Sequence, residues 1–197
     1  MIAYIDGKLA LKDPTYVIID VNGIGYQIKI SLSTYSTLPE GERCRLHTYL
    51  HIKEDAHTLF GFTTVAEKEA FLHLISISGV GPNTGLMILS SLSVEEIQQA
   101  IVREDVRTIQ NVKGIGAKTA QRIILELKDK IKKEVMLSDS VHATGSAHNT
   151  VRAEALSALV TLGFAKNIAE KTLDAIIKRE GGNLSVEALI KFALKSS

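Results

Sequence analysis

The 197-residue sequence predicts a multidomain protein, β first and α after. Three observations carry that prediction. Residues 1–63 hold five short runs in which apolar and polar side chains alternate, separated by turn residues. From residue 64 the spacing of apolar residues becomes helical, and one glycine-turn device occurs twice. Residues 136–149 have little periodicity and many small polar side chains, and 150–197 then offer three short helical runs. The expected layout is an N-terminal five-stranded OB-like β-barrel (1–63), a helical domain with two helix-hairpin-helix motifs (64–135), a flexible linker (136–149) and a small C-terminal three-helix bundle (150–197).

The barrel strands follow in order. Ile2 to Leu11 reads as the first, with Gly7 as a bulge. Tyr16 to Val21 is the second, Asn22-Gly23 is a two-residue hairpin turn, and Gly25 to Ile30 is the return strand. Ser31 to Leu38 reads as a short helix. Arg43 to Lys53 alternates, with Leu46, Thr48, Leu50 and Ile52 on one face and His47, Tyr49, His51 and Lys53 on the other. Thr58 to Phe62 closes the set, and the acidic pair Glu54-Asp55 falls in the turn before it. Such barrels often bind nucleic acid, but a fold alone does not settle a function.

Two capping boxes, Thr64-Val-Ala-Glu67 and Ser93-Val-Glu-Glu96, open helices in the second domain. The first leads into Gly79-Val80-Gly81-Pro82-Asn83-Thr84. The second starts the helix that links it to Gly114-Ile115-Gly116-Ala117-Lys118-Thr119, 35 residues further on. Each copy is an apolar helix, a Gly-aliphatic-Gly turn and another apolar helix. Glycine adopts the angles of a tight turn at little steric cost. Its missing side chain lets an anion reach the backbone, where the free N–H groups and dipole of the next helix favour negative charge. Val80 and Ile115 are expected to tuck inward and fix the turns. One such turn could be an ordinary helix connection; two copies point to DNA bound through phosphate, without sequence preference. The expected DNA-binding residues are Gly79, Val80, Gly81, Asn83, Thr84, Gly114, Ile115, Gly116, Lys118, Thr119 and Arg122.

The net charge of +1 means that cationic groups must act locally. Arg107, Lys113, Lys118, Arg122, Lys128, Lys130, Lys132 and Lys133 face only Glu126 and Asp129 along residues 107–133, the footprint expected beside DNA. Cys44 is the only cysteine, so no disulfide within the chain and no cysteine-held zinc is expected. With no basic leader before an apolar run and no stretch near the ~18 apolar residues of a membrane span, a cytoplasmic location is expected.

Gly114-Ile-Gly116-Ala-Lys118-Thr119 superficially resembles a nucleotide loop. Ala117 stands where an ATPase loop needs glycine, a helix end precedes it instead of a strand, and no glycine takes the third place of a dinucleotide fingerprint. No cofactor and no metal is therefore expected. Two enzyme readings compete: a nuclease with Mg²⁺ on Glu54-Asp55, and a lesion glycosylase using Lys113 or Lys118. The sequence identifies no further carboxylates for the metal, Lys118 sits where a phosphate-neutralising residue belongs, and His47, His51 and His57 read as surface residues of a strand and its turn. A single-strand binder would need stacking aromatics on the barrel, and the chain has no Trp.

In the last segment Val151 to Leu162 ends at Gly163, a second helix from Lys166 or Asn167 to Arg179 ends at Gly181-Gly182, and Val186 to Leu194 is capped by Ser185. Leu159, Leu162 and Phe164 are either core or a partly exposed apolar patch for a protein partner.

The order barrel, paired hairpins, linker and bundle resembles the bacterial RuvA family over the full length. The most specific pieces are His51-Ile-Lys-Glu-Asp-Ala56, Phe60-Gly-Phe62, Gly79-Val-Gly-Pro82 and Gly114-Ile-Gly116 with Lys118-Thr-Ala120. The resemblance implies a non-catalytic subunit that binds four-way (Holliday) junction DNA for branch migration in recombination and repair. It further implies a homotetramer, two of which can stack as an octamer, that holds the junction open and square. It makes Glu54 and Asp55 an acidic pin at the junction centre. It assigns Leu159, Leu162 and Phe164 to contact with the hexameric ATPase RuvB, and adds the RuvC resolvase as a partner. One departure is Asn83, where many members carry Lys; the first hairpin is expected to rest more on its backbone amides.

Overall fold

Five strands close into a barrel in the spatial order β1-β2-β3-β5-β4. They are β1 (Tyr4–Lys12), β2 (Tyr16–Val21), β3 (Ile24–Ile30), β4 (Arg43–Ile52) and β5 (His57–Phe62). The computed structural model describes residues 1–142, 147–180 and 184–195, with side chains for these except 129, 131–142, 147–150 and 180. Neighbouring strands are antiparallel except β3 and β5, which run parallel. Asn22 (φ 53°) and Gly23 (φ 87°) both take the left-handed region, as the two-residue hairpin turn requires. Alternation sends Ile5, Leu9, Val17, Ile19, Ile28 and Leu46 inward to form the barrel core. Gly7 is not the bulge; the register slips between Leu9 and Leu11. Gly7 is glycine because β2 passes too close for a side chain: a Cβ there would lie 2.2 Å from the Asp20 carbonyl oxygen. Helix α1 (Leu32–Thr37) is capped by Ser31, whose Oγ accepts from Thr34 N.

Six further helices start within residues 65–161: α2 (Val65–Ile75), α3 (Pro82–Ser91), α4 (Val94–Val102), α5 (Val106–Gln110), α6 (Ala117–His142) and α7 (Ala147–Thr161). The barrel and the hairpin helices join in one compact unit, Met1–Ile131. Phe60 and Phe62 leave β5 on the side of α2 and surround Phe71, with ring centroids 5.4 and 4.8 Å away. Tyr49 adds a third ring at 5.6 Å, within the range of favourable aromatic pairs. The change of structure at residue 64 is thus not a gap in the core. Glu67 stitches the junction: its carboxylate accepts from Thr63 N (3.0 Å), Thr63 Oγ1 (2.8 Å) and Thr34 Oγ1 (3.4 Å). Half of the first capping box therefore differs from expectation, since Glu67 reaches past Thr64 to Thr63. Ser93 and Glu96 form a complete box.

The second unit, Lys132–Ser197, has α7, α8 (Lys166–Glu180) and α9 (Val186–Lys195) around Ala155, Leu159, Ala169, Leu173, Ile176 and Leu189. Helix α7 ends in a Schellman motif: Gly163 (φ 98°) donates to Val160 O and Phe164 N to Leu159 O, both at 3.0 Å. The expected linker, 136–149, is helical over most of its length, because α6 runs on through His142 and α7 begins at Ala147. No Gly or Pro occurs between Ala117 and His142 to stop the helix. Residues 143–146, the Gly181-Gly182 stop and the side chains of Lys132 and Lys133 lie outside the described residues.

Candidate nucleic-acid interface

The two glycine turns have the same backbone. Ile77 N and Val112 N donate to Leu74 O and Ile109 O, each at 3.2 Å. Val80 N and Ile115 N donate to Ile77 O (3.0 Å) and Val112 O (3.1 Å). Gly85 N and Ala120 N donate to Gly81 O and Gly116 O, both at 2.9 Å, which starts α3 and α6. Gly79 (φ 93°) and Gly114 (φ 87°) occupy the left-handed region, where a Cβ is strained. Val80 and Ile115 are buried, as expected, so their side chains lock the turns and only their backbone remains for a ligand. The interiors match too: Leu74, Ile88 and Leu89 have Ile109, Ile123 and Ile124 as buried counterparts 35 residues on.

Gly81 and Gly116 differ from the other two glycines. Neither lies in the left-handed region, and a Cβ built on either meets nothing within 4 Å. Nothing inside the chain requires glycine there; the open backbone faces whatever approaches from outside. Helices α2, α4 and α5 begin under side-chain caps from Thr64, Ser93 and Asp105, whereas α3 has none. Neither α3 nor α6 has an acidic residue in its first turn. The N–H groups of Asn83 and Thr84, and of Ala117, Lys118 and Thr119, have no acceptor within their helices and suit an anion.

Exposed cations complete the surface. Lys113, Lys118 and Arg122 are exposed, and Arg122 joins the two copies: Nη1 lies 3.4 Å from Ser78 O in the first turn, while Nε pairs with Glu126 at 3.0 Å. Lys128 and Lys130 are less free than their sequence suggests, being bonded to Glu104 and Ser76. Asn83 is exposed, and Thr84 and Thr119 are half-buried.

Glu54 and Asp55 stand in the exposed turn between β4 and β5, closed by a 2.9 Å bond from Lys53 N to Ala56 O. Neither carboxylate pairs with a cation among the described residues. Among the described residues no three His, Cys, Asp or Glu side chains gather as a metal-binding group, so His47, His51, His57 and the acidic pair stay apart as ligands. Phe60 and Phe62 are buried and unavailable for base stacking. Between β1 and β4, hydrogen bonds from Arg43 (2.7 Å) and Arg45 (2.9 Å) hold the Asp6 carboxyl below its usual value. Burial, and secondarily Asp6, pushes the Cys44 thiol up, which makes it a poor nucleophile.

In the second unit, Leu159 is a correction: at 0% exposure it belongs to the bundle core. Phe164 is half-buried against the same core. Leu162 is exposed, and so are the apolar side chains of Val160 on α7 and Ile168 on α8. Among the described residues no helix is long and apolar enough to cross a membrane.

Comparison with known proteins covers the whole chain. The family model "RuvA N terminal domain" matches residues 1–61, "SAM-like Helix-hairpin-helix tandem" matches 71–129 and "RuvA, C-terminal domain" matches 150–197. The chain is 61% identical to a protein of Cytophaga hutchinsonii, with 100% of both chains covered. It is 50% identical to one of Amoebophilus asiaticus (99% of this chain, 100% of the relative) and 52% identical to one of Christiangramia forsetii (99% of each). Each of these relatives is named Holliday junction branch migration complex subunit RuvA.

Proposed function

Because this chain belongs to the RuvA family, we propose that it is the DNA-binding subunit of a Holliday junction branch-migration complex. The observation that carries the reading is the repeated glycine turn, with Gly81 and Gly116 left open for no reason internal to the chain. Each turn takes a backbone phosphate of a duplex arm, using free amides and, in the second copy, Lys118. Phosphate contacts fix position without reading sequence, as a protein that follows a moving junction requires.

Four copies of the chain surround the junction and hold it open and square, and a second tetramer can stack on the first. Glu54 and Asp55 stand at the crossing point. The chain has no catalytic role of its own: ATP hydrolysis belongs to RuvB, contacted through Leu162, Val160 and Ile168 on the C-terminal bundle, and RuvC acts on the same junction. Residues 136–149 connect the bundle to the DNA-binding unit.

The test is a gel shift with a four-way junction, a duplex and a single strand of equal length. The expected order of affinity is junction, then duplex, then single strand, with no cleavage when Mg²⁺ is added. Equal affinity for all three, or cleavage by the chain alone, would overturn the proposal.

A further inference from the structure

The two glycine turns share one backbone and differ in the charge that they present to solvent. Lys118 occupies the second position of α6, and its counterpart 35 residues earlier is the neutral Asn83 at the second position of α3. The fold places a cation there from another element. Lys29, on β3, carries its Nζ to 3.5 Å from Asn83 Oδ1. Two neighbours fix its place in the barrel, since its backbone stands opposite Tyr16 on β2 and Phe60 on β5. Lys29 is exposed and forms no ion pair among the described residues. Lys29 and Asn83 together line a cleft of about 440 Å³ between the β1–β2 turn, the end of β3 and α3.

We propose that Lys29 is a DNA-backbone-binding residue that gives the first glycine turn the cation Lys118 gives the second. At 3.5 Å its bond to Asn83 is at the long limit for a hydrogen bond, so Asn83 steers the ammonium without immobilising it. An ammonium has three donors, which leaves two for phosphate oxygens. The first phosphate site then draws on both the barrel and the helices, and the barrel contributes attraction to DNA as well as the acidic turn. This rests on the reading of the paired turns as phosphate sites.

The experiment measures junction affinity of the full-length chain across a salt series, with Lys118→Ala alongside. Lys29→Gln is expected to weaken junction binding roughly three- to tenfold at low salt. It should also flatten the log–log salt slope by about 0.9 for every subunit whose first turn holds a phosphate. Lys29→Arg should keep both affinity and slope, and Asn83→Lys added to Lys29→Gln should restore the slope. Wild-type affinity and slope in Lys29→Gln overturn the proposal, as does weaker binding at an unchanged slope, which marks a structural effect. If Lys118→Ala flattens the slope and Lys29→Gln does not, only the role of Lys29 is lost. If neither changes it, the phosphate reading of both turns falls with it.

Discussion

Gly114 and Gly116 stand two residues apart and are glycine for different reasons, which substitutions separate. At Gly114, with φ at 87°, any Cβ is strained, so Gly114→Val should lower stability by about 1–2 kcal/mol and disable the turn. Gly116 has ordinary backbone angles and open space, so Gly116→Ala should change stability by less than ~1 kcal/mol. Its junction binding should nonetheless fall, by roughly tenfold if one charge-assisted backbone contact is lost. Thermal melts beside gel shifts check the pair; full junction binding by Gly116→Ala would mean that no phosphate approaches there. Lys118→Ala and Arg122→Ala should each weaken binding of every sequence alike and flatten the salt dependence, read in titrations on two unrelated junction sequences. The repeat itself was legible in the sequence because glycine spacing survives as text. Which glycine serves the turn and which leaves room outside was not, since that division depends on φ and on empty space. The partnership of Lys29 with Asn83 was hidden for a similar reason: 54 residues separate them.

Elements were legible where one local signal decided them. Asn22-Gly23 gave the hairpin and Ser93 with Glu96 gave the start of α4, because turn and cap chemistry act over two to four residues. Ends set by other forces were misplaced: α6 runs past the expected stop at 135, since Ser and Asp weaken a helix without breaking it. Leu159 and Leu162 are three apart and would share a face of a continuing helix. But α7 ends at Thr161, and the left-handed Gly163 turns the chain so that Leu162 points out while Leu159 stays in the core. At the tip of β4–β5, Glu54→Gln with Asp55→Asn should raise duplex affinity more than junction affinity. Carboxylates at a crossing point repel a continuous duplex laid across them, and salt screens that repulsion. Competition gel shifts at two ionic strengths should show the change mainly at low salt; unchanged duplex affinity there would leave the pair as a solvated turn. At the other end of β5, Phe71→Ala should destabilise a fragment of residues 1–136 by about 3–5 kcal/mol, measured by denaturant titration, because it empties the contact between Phe60, Phe62 and Tyr49.

For the whole molecule, the sequence distinguished barrel, hairpins and bundle by composition and period, yet it could not show that the first two share a core. That sharing depends on Phe60 and Phe62 pointing toward α2, a fact of sheet orientation. Since residues 1–131 form one unit with its own core, a fragment ending at Met136 should fold and bind junctions with wild-type affinity. It should fail to support RuvB-driven migration, seen as no strand products in an assay with the ATPase and ATP; normal migration would separate the bundle from motor coupling. The shared aromatic core also makes the molecule a gauge. The strand that begins beside the acidic turn ends among the rings that seat α2, the helix leading into the first glycine turn, so the span between the acidic tip and the glycine turns is set by a count of residues. Adding two residues to each of β4 and β5 would keep every side chain on its own face and move the tip outward by about 7 Å. Such a chain would be sized for a wider opening, and the DNA it selects would report the length of one hairpin.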